Sequence, residues 1–273
     1  MSLLSELGDD AKILAGGQSL LPVMALRLGA PPHLIDIGGL DELASIDAGH
    51  DGVTIGASVR HRQAERSADI ARHAPLVAAA IPHVGHRAIR TRGTVVGSIA
   101  HADPAAEVPA VCLAADATMV ARSVDGEREI AASDFFEGYL TTALADNEIL
   151  THVRFPGWSP TAGAAVVEIS RRHGDYALVG LACTLDVHDG AIATAALSFL
   201  GISGTPTRVD EAEQSLVGKR PDEAAFSAAA EIVTASVDPG SDVHATANYR
   251  RHIAGVLTRR GLAEAATRIG VPA

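Results

Sequence analysis

The chain has 273 residues, 47% of them hydrophobic and 20% charged, with 26 glycines and 13 prolines. This ordinary globular usage excludes a disordered or collagen-like chain, and at roughly 100 to 200 residues per domain it points to two modest domains, each able to bury a real core. Thirty-three acidic against 22 basic residues give a formal charge of -11, so the average surface repels polyphosphate and anionic lipid, and nucleic acid is not expected as a partner.

The start, MSLLSELGDDAKILAGG, has no basic segment leading into a long apolar core. No uninterrupted apolar run of about 18 residues occurs either, so a cytoplasmic protein without an integral membrane segment is expected. The two cysteines, Cys112 and Cys183, sit in separate apolar stretches without CxxC spacing. Neither a disulfide framework nor a zinc site is expected from them. An iron–sulfur cluster takes about four thiolates, so any such centre belongs on another chain.

In chain order, residues 11–15 (AKILA) read as a strand that runs into the turn Gly16-Gly17-Gln18-Ser19. His33 to Ile37 reads as a second strand and Gly52 to Val59 as a third, while Arg62 to Ala80 has helical spacing punctuated by Pro75 and Pro82. A second glycine turn spans Gly93 to Ser98. Asp103-Pro104 then leads into a helix beginning near Ala105, with Asp103 placed to cap it. Strands are predicted at Ala117 to Arg122 and Glu148 to Phe155. FPGWSPTAG, Phe155 to Gly163, reads as a linker with the boundary near Gly157 to Thr161. Beyond it, Ala164 to Ile169, Ala177 to Val187 and Ala191 to Ile202 read as strands, the last two joined by a His188-Asp189-Gly190 hairpin. Helices follow at Arg208 to Val217, Asp222 to Thr234 and His244 to Ile269, the last with an arginine face of Arg250, Arg251, Arg259 and Arg260.

The dinucleotide G-x-G-x-x-G, the P-loop and the G-x-S-x-G elbow are all missing. His83-Val84-Gly85-His86 is a weak H-x-x-H pair that reads as surface histidines rather than a metal site. The glycine turns at 15–19 and 93–98 both expose amide donors, with hydroxyls at Ser19, Thr94 and Ser98 and with Arg87, Arg90 and Arg92 beside the second. Such turns are either ordinary tight turns or a cradle for phosphate.

The segments KILAGGQSLLPVMALRL, IRTRGTVVGSIAHADPAAE and RRHGDYALVG, in that order, with the carboxy-terminal NYRRHIAGVLTRRGL, resemble the FAD-binding medium subunit of molybdenum hydroxylases. Aerobic carbon monoxide dehydrogenase and xanthine dehydrogenase carry subunits of this type. The resemblance covers nearly the whole chain. It implies an α+β fold: a vanillyl-alcohol-oxidase (PCMH)-type FAD-binding domain over 1–158, with subdomains of about 1–50 and 51–158. A carbon monoxide dehydrogenase flavoprotein C-terminal-like domain over 162–273 follows, with a three-stranded antiparallel sheet and helices. Family members usually begin with a further strand and part of a helix before the segment matched by Leu3 to Asp10, so an unpaired strand edge is expected here.

Residue by residue, the resemblance assigns the first FAD loop to Ala15, Gly16, Gly17, Gln18 and Ser19, flanked by Lys12, Ile13, Leu14 and Leu20. The second is Thr94, Val95, Val96, Gly97 and Ser98, where the family usually shows T-I-G-G-S, so Val96 replaces a glycine. Asp103 and Glu107 match acidic positions near the cofactor, Leu150 matches a residue packing on it, and Tyr176 matches an aromatic covering one face of the isoalloxazine. On the residues alone these four read as a helix cap, a solvated charge, core and a core tyrosine. With nine aromatic residues in all (five Phe, three Tyr, one Trp), a tyrosine inside the motif carries more weight, because stacking on a flavin needs a flat apolar ring.

The implied function is an electron exit. FAD on this chain receives electrons from [2Fe-2S] clusters on a small iron–sulfur subunit, which are fed by a large molybdopterin subunit, in a dimer of heterotrimers; the redox chemistry belongs to the cofactor and no side chain here acts as acid or nucleophile. Two other readings stay open: a stand-alone FAD-dependent reductase of the same superfamily, and a flavin-free assembly subunit.

Overall fold

The computed structural model describes residues 1–270 and begins with helix α1 (Ser2–Leu7). Strand β1 (Ala11–Leu14), helix α2 (Leu20–Ala25) and strand β2 (His33–Asp36) follow, with β1 and β2 parallel and Ala11 opposite His33. Next come β3 (Ile46–Gly49) and β4 (Gly52–Gly56), then a run of helices: α3 (His61–Ala64), α4 (Ala68–His73), α5 (Pro75–Ala80), α6 (Arg87–Arg92), α7 (Val95–His101) and α8 (Glu107–Ala114). Strands β5 (Thr118–Arg122) and β6 (Glu127–Ala131), helix α9 (Ala132–Phe135), the small hairpin β7 (Phe136–Gly138) and β8 (Thr141–Thr142), and strand β9 (Ile149–Pro156) complete this part. Its main sheet has the order β3-β4-β9-β5-β6 and is antiparallel throughout.

After the Trp158 turn, β10 (Ala162–Ile169), β11 (Val179–His188), β12 (Ala191–Leu200) and the two-residue β13 (Thr207–Arg208) form a second antiparallel sheet in chain order. Asp189 and Gly190, with φ of 52° and 78°, make the tight turn between β11 and β12. Two consecutive positive φ values match the right-handed twist of paired strands, and Asp-Gly accepts them. Helices α10 (Asp210–Leu216), α11 (Glu223–Ser236) and α12 (Ala247–Arg268) finish the chain.

The period of two along β10 decides which core each side chain joins. Ala164 and Val166 pack into one core with α5 and α8, whereas Ala165 and Val167 pack into the other with α10, α11 and α12. Ala182, Ala196 and Leu200 extend the first core, and Leu181, Cys183, Leu185, Leu197 and Phe199 the second. The second sheet is therefore buried on both faces. Its small alanine face lets the helices of the N-terminal part approach closely, which fixes that part against the C-terminal one.

Several expectations change in detail. The helical stretch from Arg62 to Ala80 is three helices, because Ser67 caps α4 by accepting from the Ile70 amide at 3.2 Å and Pro75 starts α5. Asp103 does not cap α8: that helix starts at Glu107, and the Asp103 carboxylate accepts from the Ala105 amide at 2.9 Å in the preceding turn. Arg250 does not belong to a solvated arginine face. It is buried, donates to the carbonyl oxygens of Leu178 and of Gly201 (2.8 Å), and pairs with Asp242 at 2.6 Å.

Candidate functional site

Strand β1 delivers Leu14 into the turn Ala15 to Ser19. Gly17 there has φ of 72°, a left-handed conformation that glycine adopts without strain. A Cβ on Gly16 would lie 2.6 Å from both the Arg92 oxygen and the Gly93 Cα, so this turn rests directly on the second predicted loop. The amides of Gly16, Gly17, Gln18 and Ser19 donate to no acceptor among the described residues. The Gln18 side chain closes the turn by donating to the Gly16 oxygen at 3.2 Å. Partly buried backbone donors are normally paired, so four in a row leave a set of donors free to meet an anion.

The segment from Gly93 to Ser98 is not a turn between strands. It enters helix α7, with Thr94 as the capping residue whose hydroxyl accepts from the Gly97 amide at 3.0 Å. Val95 and Val96 sit in the first turn of that helix and point into the core; Val96 is 1% exposed. The Val96 side chain is thus taken up by the core and not by the side on which Gly97 meets Ala15. Gly97 and Ser98 stay partly exposed on that face, with Gly97 against Ala15.

Arg60 ties the two segments together and was not among the sequence-derived candidates. Its Nη1 donates to the Arg92 oxygen at 2.6 Å and to the Ala15 oxygen at 3.3 Å. Desolvation first and Arg92 second lower its pKa, while Asp36 opposes them, and its guanidinium lies beside the turn that carries the unpaired amides. The neighbouring His61 is 4% exposed, and both of its ring nitrogens lack partners. The His61 amide donates to the Gly93 oxygen at 2.9 Å, and the Val95 amide to the Val59 oxygen at 3.1 Å. The one available sequence signal is an arginine directly after the strand predicted at Gly52 to Val59, which has no motif.

The remaining candidates fall into two groups. Lys12 is exposed on β1, and Ile13, Leu14 and Leu20 are half-buried around the first turn. Asp103, Glu107 and Tyr176 gather at another place, between α8 and the loop before β11. The Tyr176 ring is 61% exposed, yet desolvation around its hydroxyl, followed by the Asp103 carboxylate, pushes its pKa up to about 12. Leu150 lies inside β9 opposite Ala121, buried in the core. His83 and His86 do not converge: His83 pairs with Glu168 at 3.3 Å, and His86 packs against Gly174.

Among the described residues no group of three or more histidine, cysteine or acidic side chains could hold a metal ion. Cys112 and Cys183 are buried and free, and desolvation pushes Cys183 up to about 12, so both are inert thiols. No described helix is long and apolar enough to cross a membrane. The donor set suits FAD: neutral amides and a guanidinium for a diphosphate at one end, and an exposed flat phenol for a ring at the other.

Comparisons with known proteins identify the family. The family described as "FAD binding domain in molybdopterin dehydrogenase" matches residues 1–158, and "CO dehydrogenase flavoprotein C-terminal domain" matches residues 164–265. A relative from Paenarthrobacter nicotinovorans, the 6-hydroxypseudooxynicotine dehydrogenase complex subunit alpha, is 39% identical over 97% of this chain and 90% of its own length. The carbon monoxide dehydrogenase medium chain of Hydrogenophaga pseudoflava is 34% identical over 96% of this chain and 91% of its own. Among solved structures, quinoline 2-oxidoreductase from Pseudomonas putida 86 superimposes with a TM-score of 0.93 at 35% identity, covering 98% of this chain and 93% of that one. The chain belongs to the FAD-binding medium-subunit family of molybdopterin dehydrogenases.

Proposed function

We propose that this chain holds FAD with its diphosphate between the Ala15–Ser19 turn and the start of α7, and serves as the electron-exit subunit of a molybdenum hydroxylase. The observation that carries the reading is the run of four unpaired amides from Gly16 to Ser19, held against Arg92 and Gly93 by Arg60. Ser19, Thr94 and Ser98 add hydroxyls there. Lys12, Ile13, Leu14 and Leu20 border the cofactor, and Val95, Val96 and Leu150 support it from the core side. Asp103, Glu107 and Tyr176 would stand at the ring end, where the phenol would cover the ring and keep water from it.

When bound, the flavin supplies the ability to take electrons singly and pass them to an external acceptor. The polypeptide needs only to bind and orient it. With two buried, inert cysteines, the iron–sulfur clusters that feed it belong to a small partner subunit, and the molybdopterin to a large one, in a dimer of heterotrimers in the cytoplasm. The FAD-binding domain would span 1–158 and the C-terminal domain 162–273.

Comparing FAD with riboflavin tests the reading, because riboflavin has the same ring but no diphosphate. FAD should bind the full chain at least a hundred-fold more tightly, a gap of about 3 kcal/mol. Equal affinities would remove the role of the amide run.

A further inference from the structure

Where α8, the 81–83 turn and β10 converge, two titratable side chains pair and a third, Glu107, lies close enough to feel their charges. His83 Nδ1 stands 3.3 Å from Glu168 Oε1, joining the N-terminal part to the C-terminal sheet. The other oxygen, Glu168 Oε2, is buried without a partner, and that side chain is 8% exposed. Glu107, the first residue of α8, is 6% exposed. The Gly201 amide donates to the Pro104 oxygen at 2.9 Å and closes the seam beside it.

Burial pushes Glu107 up to about 7, with the Glu168 and Asp103 carboxylates adding and its own amide and His83 opposing. His83 is raised, chiefly by its bond to Glu168, with Glu107 and Glu264 of α12 adding and desolvation opposing. Tyr176, which sees Asp103, Glu107 and Tyr139, keeps its proton through neutrality. Besides one another, the groups that act on Glu107 and His83 are thus Glu168, Asp103 and Glu264, while Tyr176 feels Glu107, Asp103 and Tyr139. Burial and like charge both disfavour an ionised carboxylate, so added negative charge nearby favours protonation of Glu107.

We propose that the Glu107–His83–Glu168 cluster takes up a proton from water when two electrons arrive on the flavin held by this chain, so that reduction is coupled to protonation of Glu107. This rests on the FAD reading above. The electrons come from the partner's reduced iron–sulfur clusters or, in vitro, from an electrode through a redox mediator. The proton enters past His83, which is partly open to solvent, and forms an O–H bond on a Glu107 carboxylate oxygen. When the electrons leave for the acceptor that bond breaks and the proton returns to water; no side chain changes oxidation state. The coupling is reciprocal, so the proton also makes the electrons easier to add.

The slope of the flavin midpoint potential against pH counts protons taken up per two electrons. Spectroelectrochemical titration of the flavin-loaded chain should show, from about pH 7 upward, up to about one proton more in the wild type than in Glu107→Gln. Glu168→Gln should move the window of extra uptake to lower pH, and His83→Gln to higher pH, because they remove charges of opposite sign. Equal slopes in wild type and Glu107→Gln at equal flavin content would overturn the inference and leave the FAD reading intact. If Glu107→Gln does not fold, the other two variants decide, and an unmoved window in both would overturn it. A wild-type chain that takes up no flavin, seen in its absorbance before any titration, would overturn the FAD reading and this inference with it.

Discussion

The Arg60 guanidinium donates to the Arg92 carbonyl oxygen at 2.6 Å and reaches Ala15 from the same nitrogen. One side chain therefore sets the distance between two glycine-containing segments nearly 80 residues apart in sequence. Arg60→Met keeps much of the aliphatic stem and removes both bonds. Hydrogen bonds from a charged donor are worth about 1.5–3 kcal/mol, so FAD affinity should fall roughly ten- to a hundred-fold. Fluorescence titration checks this, and circular dichroism should show the fold retained.

Val96 points into the core rather than toward the first turn. Val96→Gly, which restores the usual family residue, should not tighten FAD binding. It should instead lower stability by about 2–4 kcal/mol, through the lost side chain and a glycine inside a helix. Denaturant unfolding beside a flavin titration separates the two effects.

His61 has both ring nitrogens unpaired, and desolvation followed by Arg90 lowers its pKa from 6.5 to about 4. Between those values the unfolded chain binds a proton that the folded chain does not, so stability falls as pH drops from 6.5 toward 4. The loss approaches about 3 kcal/mol at the acid end. His61→Leu should flatten that part of the stability–pH curve, read from urea unfolding at a series of pH values.

Arg250 and Arg259 lie on the same helix but differ in role. Arg250 satisfies two carbonyl oxygens and Asp242, whereas Arg259 is exposed, with Glu223 at 4.0 Å. Arg250→Met should cost about 2–4 kcal/mol by leaving buried acceptors unpaired. Arg259→Met should cost less than about 0.5 kcal/mol. Thermal unfolding of the two variants makes the comparison.

Local chemistry made some of this legible in the sequence. The Asp189-Gly190 turn, the strand from Ala164 to Ile169 and the glycine turn at 16–17 follow from backbone preferences of a few adjacent residues. The cap at Thr94 was hidden because Gly93 and Gly97 look like turn residues, while the helix between them is set by Thr94 and by burial of Val95 and Val96. Arg60 and His61 were out of reach because their partners are Ala15, Arg92 and Gly93. Glu168 is similar: it reads as one polar residue in a strand, and its pairing with His83 exists only once the second sheet packs on the first part of the chain.

Amide hydrogen exchange at Gly16, Gly17, Gln18 and Ser19, measured with and without FAD, tests the central claim most directly. These amides have no acceptor among the described residues. FAD should slow their exchange by at least ten-fold, whereas riboflavin should leave it nearly unchanged. Exchange that stays as fast with FAD bound as without it would contradict the account.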